Sequence, residues 1–151
     1  MLVLAIAGLI FLMVFIALPA LQRSQRDTQR KQDMARVAAA YNSYVANNRG
    51  CGIRDNDWRG GMPVWNSFLN AYLRNDGEEF KDPLGSDYRI EEGPRYTEGR
   101  SQIAGDGVIS VNLFTICEPS EDKNVTIVGD ANKITARLRL ESGGVHCVQL
   151  N

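Results

Sequence analysis

Residues 1–22 carry no charged side chain, and the first basic residue is Arg23. A helix of about twenty residues, rising about 1.5 Å per residue, spans a hydrocarbon core of roughly 30 Å. Beyond Arg23 no glycine or turn signal occurs until Asn47-Asn48-Arg49-Gly50. In between, Met34, Val37, Ala38, Tyr41, Tyr44 and Val45 recur at three- and four-residue steps, which draws an apolar stripe along one helix face. Arg23, Arg26, Arg30, Lys31 and Arg36 are expected to sit largely off that stripe. The pattern predicts a single rod, apolar over 1–22 and amphipathic over 23–49.

Gly8 and Pro19 each weaken helix hydrogen bonding or packing locally, so a bent or unwound stretch is expected between them in an assembled form. In a lone helix surrounded by lipid such a break is costly, because freed N–H and C=O groups meet no water; packed against copies of itself, the helix tolerates it. A secretory signal peptide fits less well. The basic n-region is missing, the apolar run is long, and Pro19 follows Leu18 where a small-x-small cleavage site is needed.

Residues 50–107 form a connecting region rich in glycine and charge. Its clearest element is a helix over 62–75: Pro63 suits a first turn, and Trp65, Phe68, Leu69, Tyr72 and Leu73 fall on one face. An aromatic stripe at helical spacing is a core face, here to be packed on a sheet or on Tyr41 and Tyr44. A short strand follows over 87–91, then a loop over 93–105. Residues 108–151 carry the sheet. Ile109, Val111, Leu113 and Cys117 share one parity in a strand over 108–117, a short strand covers 124–128, and 133–141 alternates with Ile134, Ala136, Leu138 and Leu140 on one side. Ser142-Gly143-Gly144 reads as a two-residue hairpin turn. Either choice of turn residues puts Cys147 opposite the Leu138 and Leu140 set, facing the core. The fold class is α+β, a long N-terminal helix against an antiparallel sheet of about four strands.

The three cysteines, Cys51, Cys117 and Cys147, form no Cys-x-x-Cys pair, and His146 is the only histidine. A disulfide in an oxidising compartment is therefore favoured over a metal site. Strand parity selects Cys117 with Cys147, a link that closes a loop of about thirty residues and contributes roughly 3.5–4 kcal/mol in the chain-entropy model. Cys51, just past the end of the rod, is either a free thiol or the partner of one of the others.

With about a third of the 151 residues in the rod, roughly a hundred remain for one small core. The formal net charge of -1 is uninformative about nucleic acid, for which the sequence gives no direct evidence. The rod is basic, whereas 76–92 and 118–122 are acid-rich; these are solvated surfaces or opposite-signed faces of neighbouring subunits. Reactive chemistry is not indicated. His146 stands alone on a terminal strand, and Asp55, Asn56 and Asp57 start like a calcium loop without its glycine and closing glutamate. Asn124-Val125-Thr126 matches a glycosylation sequon. No phosphate-binding glycine loop or nucleophile elbow occurs, so neither an enzyme nor a cofactor is expected.

The run Leu4-Ala5-Ile6-Ala7-Gly8-Leu9-Ile10, closed by Ala17-Leu18-Pro19-Ala20-Leu21 and followed by Arg26-Asp27-Thr28-Gln29-Arg30-Lys31-Gln32-Asp33, resembles the N-terminal helix of type IV pilins and their secretion-system pseudopilin relatives. The segment Lys81-Asp82-Pro83-Leu84-Gly85-Ser86-Asp87-Tyr88 is similar to the Asp-Pro-x-Gly-x-x-Tyr turn of that family, and the late cysteine pair is a third point of likeness. The resemblance implies the type IV pilin fold and a structural subunit that polymerises into an extracellular filament for motility, adhesion or DNA uptake. It implies anchoring in the cytoplasmic membrane before assembly and in the pilus at the cell surface afterwards, with an assembly ATPase and a platform protein as partners. Gly8, Phe11, Phe15 and Pro19 would lie in the filament core.

Family members also carry a basic leader, a methylated aromatic residue and an early acidic residue, none of which is seen ahead of Met1, so the chain is expected to lack its first few mature residues. As written, the positive-inside tendency places the head in the cytoplasm; a basic leader reverses that count. Two alternatives stand beside the pilin. A type II secretion pseudopilin would hold calcium in the late loop, where Glu118, Glu121, Asp122 and Asp130 are the candidate ligands. A monomeric membrane-anchored binding module would need a convergent polar pocket.

Overall fold

The computed structural model describes residues 2–53, 64–74, 79–92, 105–117, 126–128, 130 and 133–150. Helix α1, Leu2–Asn47, runs without interruption through Pro19. It ends in a left-handed turn at Arg49 (φ 57°) and Gly50 (φ 81°), where the Gly50 N–H donates to the Val45 carbonyl at 2.8 Å. This six-to-one bond satisfies a carbonyl that the helix end would leave open. The rod thus stops where the asparagine–glycine signal places it.

Helix α2, Val64–Tyr72, lies within the expected span; residues 62, 63 and 75 fall outside the described ones. Trp65, Phe68 and Leu69 are buried, and Tyr41, Tyr44, Trp65, Phe68 and Tyr72 form a ring cluster with centroid separations of 5.6–6.3 Å. Offset and edge-to-face arrangements at these distances match the quadrupoles of the rings. Gly52 lies close against this cluster: a Cβ there would collide with the Tyr41 hydroxyl.

The main sheet has four strands in the order β1-β2-β5-β6, with β1 at Arg89–Glu92, β2 at Val108–Leu113, β5 at Ile134–Arg139 and β6 at Val145–Gln149. Strand β1 runs parallel to β2 and the other pairs are antiparallel, so the sheet is mixed where a purely antiparallel one was expected. The expected strand over 108–117 also breaks. Phe114 takes φ 62°, and the chain turns out of the main sheet into β3, Thr115–Cys117, which pairs with β4, Thr126–Val128, as a separate two-stranded ribbon. Thr115 pins the bend, its hydroxyl donating to the Asn112 carbonyl at 3.0 Å and lying 2.7 Å from the Thr135 hydroxyl.

One face of the sheet presents Ile109, Val111, Leu113, Ile134, Ala136 and Leu138 to Met34, Val37 and Tyr41 of the rod, and this is the core. The opposite face carries Ser110, Asn112, Thr135 and Arg137, all buried; Arg137 bonds to the Asn112 amide oxygen through Nε at 3.2 Å and Nη2 at 2.9 Å. Both faces of β5 are therefore covered. The α+β class stands, with the rod on one side of the sheet.

Candidate functional site

The lower half of α1 is the first functional feature. No residue of its most apolar stretch is buried, and the helix is long and apolar enough to cross a membrane. Phe11 is 65% and Phe15 74% exposed, Pro19 is exposed, and a Cβ added at Gly8 would meet nothing. The four residues expected in a filament core thus share an open apolar surface far larger than soluble monomers tolerate.

Immediately above it the rod becomes a polar seat for the head. Arg30 is fully buried and grips Asp82 bidentately, Nε to Oδ1 at 2.7 Å and Nη2 to Oδ2 at 3.0 Å. Asp82 also accepts from the Leu84 N–H at 3.0 Å, while its own N–H donates to the Ser86 carbonyl at 2.8 Å, closing the 82–86 turn around Gly85 (φ 90°). A few residues on, the Tyr88 hydroxyl donates to Asp33 at 3.1 Å. On the other side, Asp27 accepts from the backbone N–H groups of Glu141 and Ser142 at 2.8 and 3.1 Å, and Arg26 holds Glu141 with two bonds of 2.8 Å. Two turns distant in sequence thus converge on one stretch of α1.

This junction corrects the expectation that the basic residues lie off the packed stripe. Arg26 is half-buried and Arg30 has no exposure, whereas Arg23 and Arg36 are exposed. Asp82, from the acid-rich stretch, is neutralised within the chain rather than by a neighbour. Burial of an ion pair is worthwhile only when hydrogen bonds satisfy the charges. Here Asp82 is fully engaged, while Arg30 Nη1 has no hydrogen-bond partner and lies 4.0 Å from Asp27.

The Cys117–Cys147 disulfide is present, and Cys51 is free and exposed. The parity that selected the pair is, however, reversed. The turn holds three residues, Glu141, Ser142 and Gly143 (φ 93°), between the paired Leu140 and Gly144. Compared with a two-residue turn this shifts β6 to the other face, so Cys147 stands opposite Arg137 while His146 stands opposite Leu138 on the core side. The disulfide reaches the same partner because Cys117 has also left the main sheet at Phe114 and crosses the Arg137 face on β3.

Of the calcium candidates only Asp130 is described, and it is exposed; Glu118, Glu121 and Asp122 lie outside the described residues, as do Asp55, Asn56 and Asp57. Among the described residues no group of three or more His, Cys, Asp or Glu side chains could hold a metal.

The carboxylates of the junction respond to pH in opposite senses. The Arg26 hydrogen bond holds Glu141 below the ordinary range. At Asp27 burial pushes upward, and the bonds from Ser142 and Glu141 overcome it, leaving the group low. Asp33 is raised, chiefly by burial, against the opposing Tyr88 hydrogen bond. A depressed carboxyl contributes stability above its unfolded value, about 4, and loses it as pH falls through the folded value; a raised one costs stability as pH rises from about 4 to its folded value. Hydrogen-exchange protection of the Glu141 and Ser142 amides should therefore fall as pH drops below about 4. Asp33→Asn should remove the opposing loss of stability just above that pH, and equal profiles for wild type and variant would contradict this assignment.

No family model matches the chain, and neither the curated proteins nor the solved structures give a match. The geometry on its own defines an α+β protein with a helix long and apolar enough to cross a membrane and a disulfide-linked head seated on the upper half of that helix.

Proposed function

We propose that the chain is a pilin: a structural subunit of the type IV pilin fold, held in the cytoplasmic membrane by residues 1–22 and then polymerised into an extracellular filament. The observation that carries this reading is the continuity of α1, whose wholly exposed apolar half passes without a break into a half that forms one wall of the head's core. An anchor meant only to tether a domain needs no such rigid continuation. In a filament the same apolar surface exchanges lipid for the helices of neighbouring copies, including Gly8, Phe11, Phe15 and Pro19. Assembly would draw on a platform protein and an ATPase, and the subunit itself would perform no catalysis.

Electron microscopy of sheared cell-surface material tests the proposal: filaments containing this chain support it, and a chain that stays monomeric in detergent and in cells overturns it. In such filaments α1 should lose helical bonding or bend between Gly8 and Pro19, although it is continuous in the single chain; unbroken bonding from Leu4 to Arg26 in the assembled form would refute this.

The junction places the cut that frees the head. A fragment beginning at Arg23 should be soluble, monomeric and cooperatively folded, because it keeps Arg26 and Asp27. A fragment beginning at Thr28 loses both and should be less stable by about 1–3 kcal/mol in urea unfolding. Equal stability of the two would show that the Asp27 bonds to the 141–142 turn add nothing.

A further inference from the structure

A cleft of about 490 Å³ lies between α1 and the β5–β6 turn, beginning at Ala20 in the last turn of the apolar segment. Its walls include Arg23, Ser24, Asp27, Thr28, Lys31 and Ser142. Both carboxylate oxygens of Asp27 are taken by backbone N–H groups, and Glu141 at the rim is held by Arg26. Arg23 and Lys31 flank Asp27 by one helical turn on either side, yet neither lies in an ion pair among the described residues. The acids are satisfied and two cations are left over.

Their height on the rod decides what they meet. Arg23 lies about 3 Å beyond Leu21 along the helix axis, within a headgroup layer that extends several ångströms past the hydrocarbon core. Lys31 stands about 12 Å further along the axis, and because helical side chains lean toward the N-terminus it faces back across the cleft toward Arg23 and the outer edge of that layer. A zwitterionic headgroup would bring its own cation against Lys31, whereas an anionic one would not.

We propose that this cleft holds the phosphodiester headgroup of an anionic membrane phospholipid, with Arg23 at the phosphate and Lys31 and Ser142 around the remainder. The proposal rests on reading residues 1–22 as the membrane segment. It adds a defined lipid contact to the subunit before assembly, one that must be released when the helix leaves the bilayer.

The test places the intact chain in nanodiscs of mixed zwitterionic and anionic phospholipid and counts the lipids retained on gentle release by native mass spectrometry. Anionic lipid should be enriched over its share of the bilayer. Combined Arg23→Gln and Lys31→Gln substitution should lower that enrichment about tenfold, while Arg89→Gln, exposed on β1, should leave it unchanged. Retention at the bilayer's own ratio, or equal retention by the double variant, overturns the headgroup site. Displacement of the retained lipid by free glycerol phosphate also overturns it, by showing a soluble phosphate ligand instead. A chain that fails to enter the nanodisc overturns the membrane reading itself, a separate and distinguishable failure.

Discussion

Asp82→Ala should destabilise the head by about 3–5 kcal/mol, the range for removing one partner of a buried ion pair. Most of that loss comes from what remains. Arg30 has no exposure, and without Asp82 its guanidinium faces Glu141 at 3.6 Å and Asp27 at 4.0 Å, contacts too long to replace two hydrogen bonds of 2.7 and 3.0 Å. The 82–86 turn loses the acceptor for the Leu84 N–H at the same time. Replacing both partners, Arg30→Met with Asp82→Leu, should recover much of the loss, since an apolar pair of similar volume carries no desolvation cost. Urea unfolding of the intact chain in mild detergent, followed by tryptophan fluorescence, measures both. A cost for Asp82→Ala below about 1 kcal/mol would show that Arg30 finds water or another acceptor without effort.

Cys117→Ser or Cys147→Ser should cost about 2–4 kcal/mol and raise the protease sensitivity of residues 118–133. The link joins residues 30 apart and ties β3 to β6 across the face that buries Arg137, so its loss frees both the chain and the cover of a buried cation. Cys51→Ser should be nearly neutral, since that thiol is exposed and unlinked. Non-reducing peptide mapping decides the connectivity directly. Recovery of Cys51 linked to either late cysteine would falsify the assignment, and recovery of three thiols would remove the argument for an oxidising compartment.

The rod, its end at Asn47 and the second helix with its aromatic face were legible in the sequence, because each rests on spacing within a short window; the disulfide pair is the expected one, but the strand parity that pointed to it is reversed. The failures came from features that a window does not contain. Four residues of β1 carry no sign of strand direction, so its parallel pairing with β2 was invisible. The bend at Phe114 needs a positive φ at an aromatic residue, and its support comes from Thr135, twenty residues beyond Thr115. Ser142-Gly143-Gly144 allowed several turn lengths, and the extra turn residue exchanged His146 and Cys147 between the faces of β6. Arg30 is a different case, because the signal was present. Arg30, Met34, Val37 and Tyr41 follow steps of four, three and four, which puts the arginine on the apolar stripe. Its charge argues for a place outside, and only the acid at Asp82, 52 residues away, reverses that.

The seating of the head also has a mechanical consequence. Asp27, Arg30 and Asp33 occupy successive turns over about 9 Å of helix, and they hold segments near residues 82–88 and 141–142 at the same level of the rod. A pull that draws the head along the rod axis must load these bonds together, in shear, before any one of them opens. A pull across the axis could open them in succession, like a zip. The head should therefore withstand tension along the rod far better than sideways traction, and the direction of strength is the one along which a subunit of the proposed filament would be loaded.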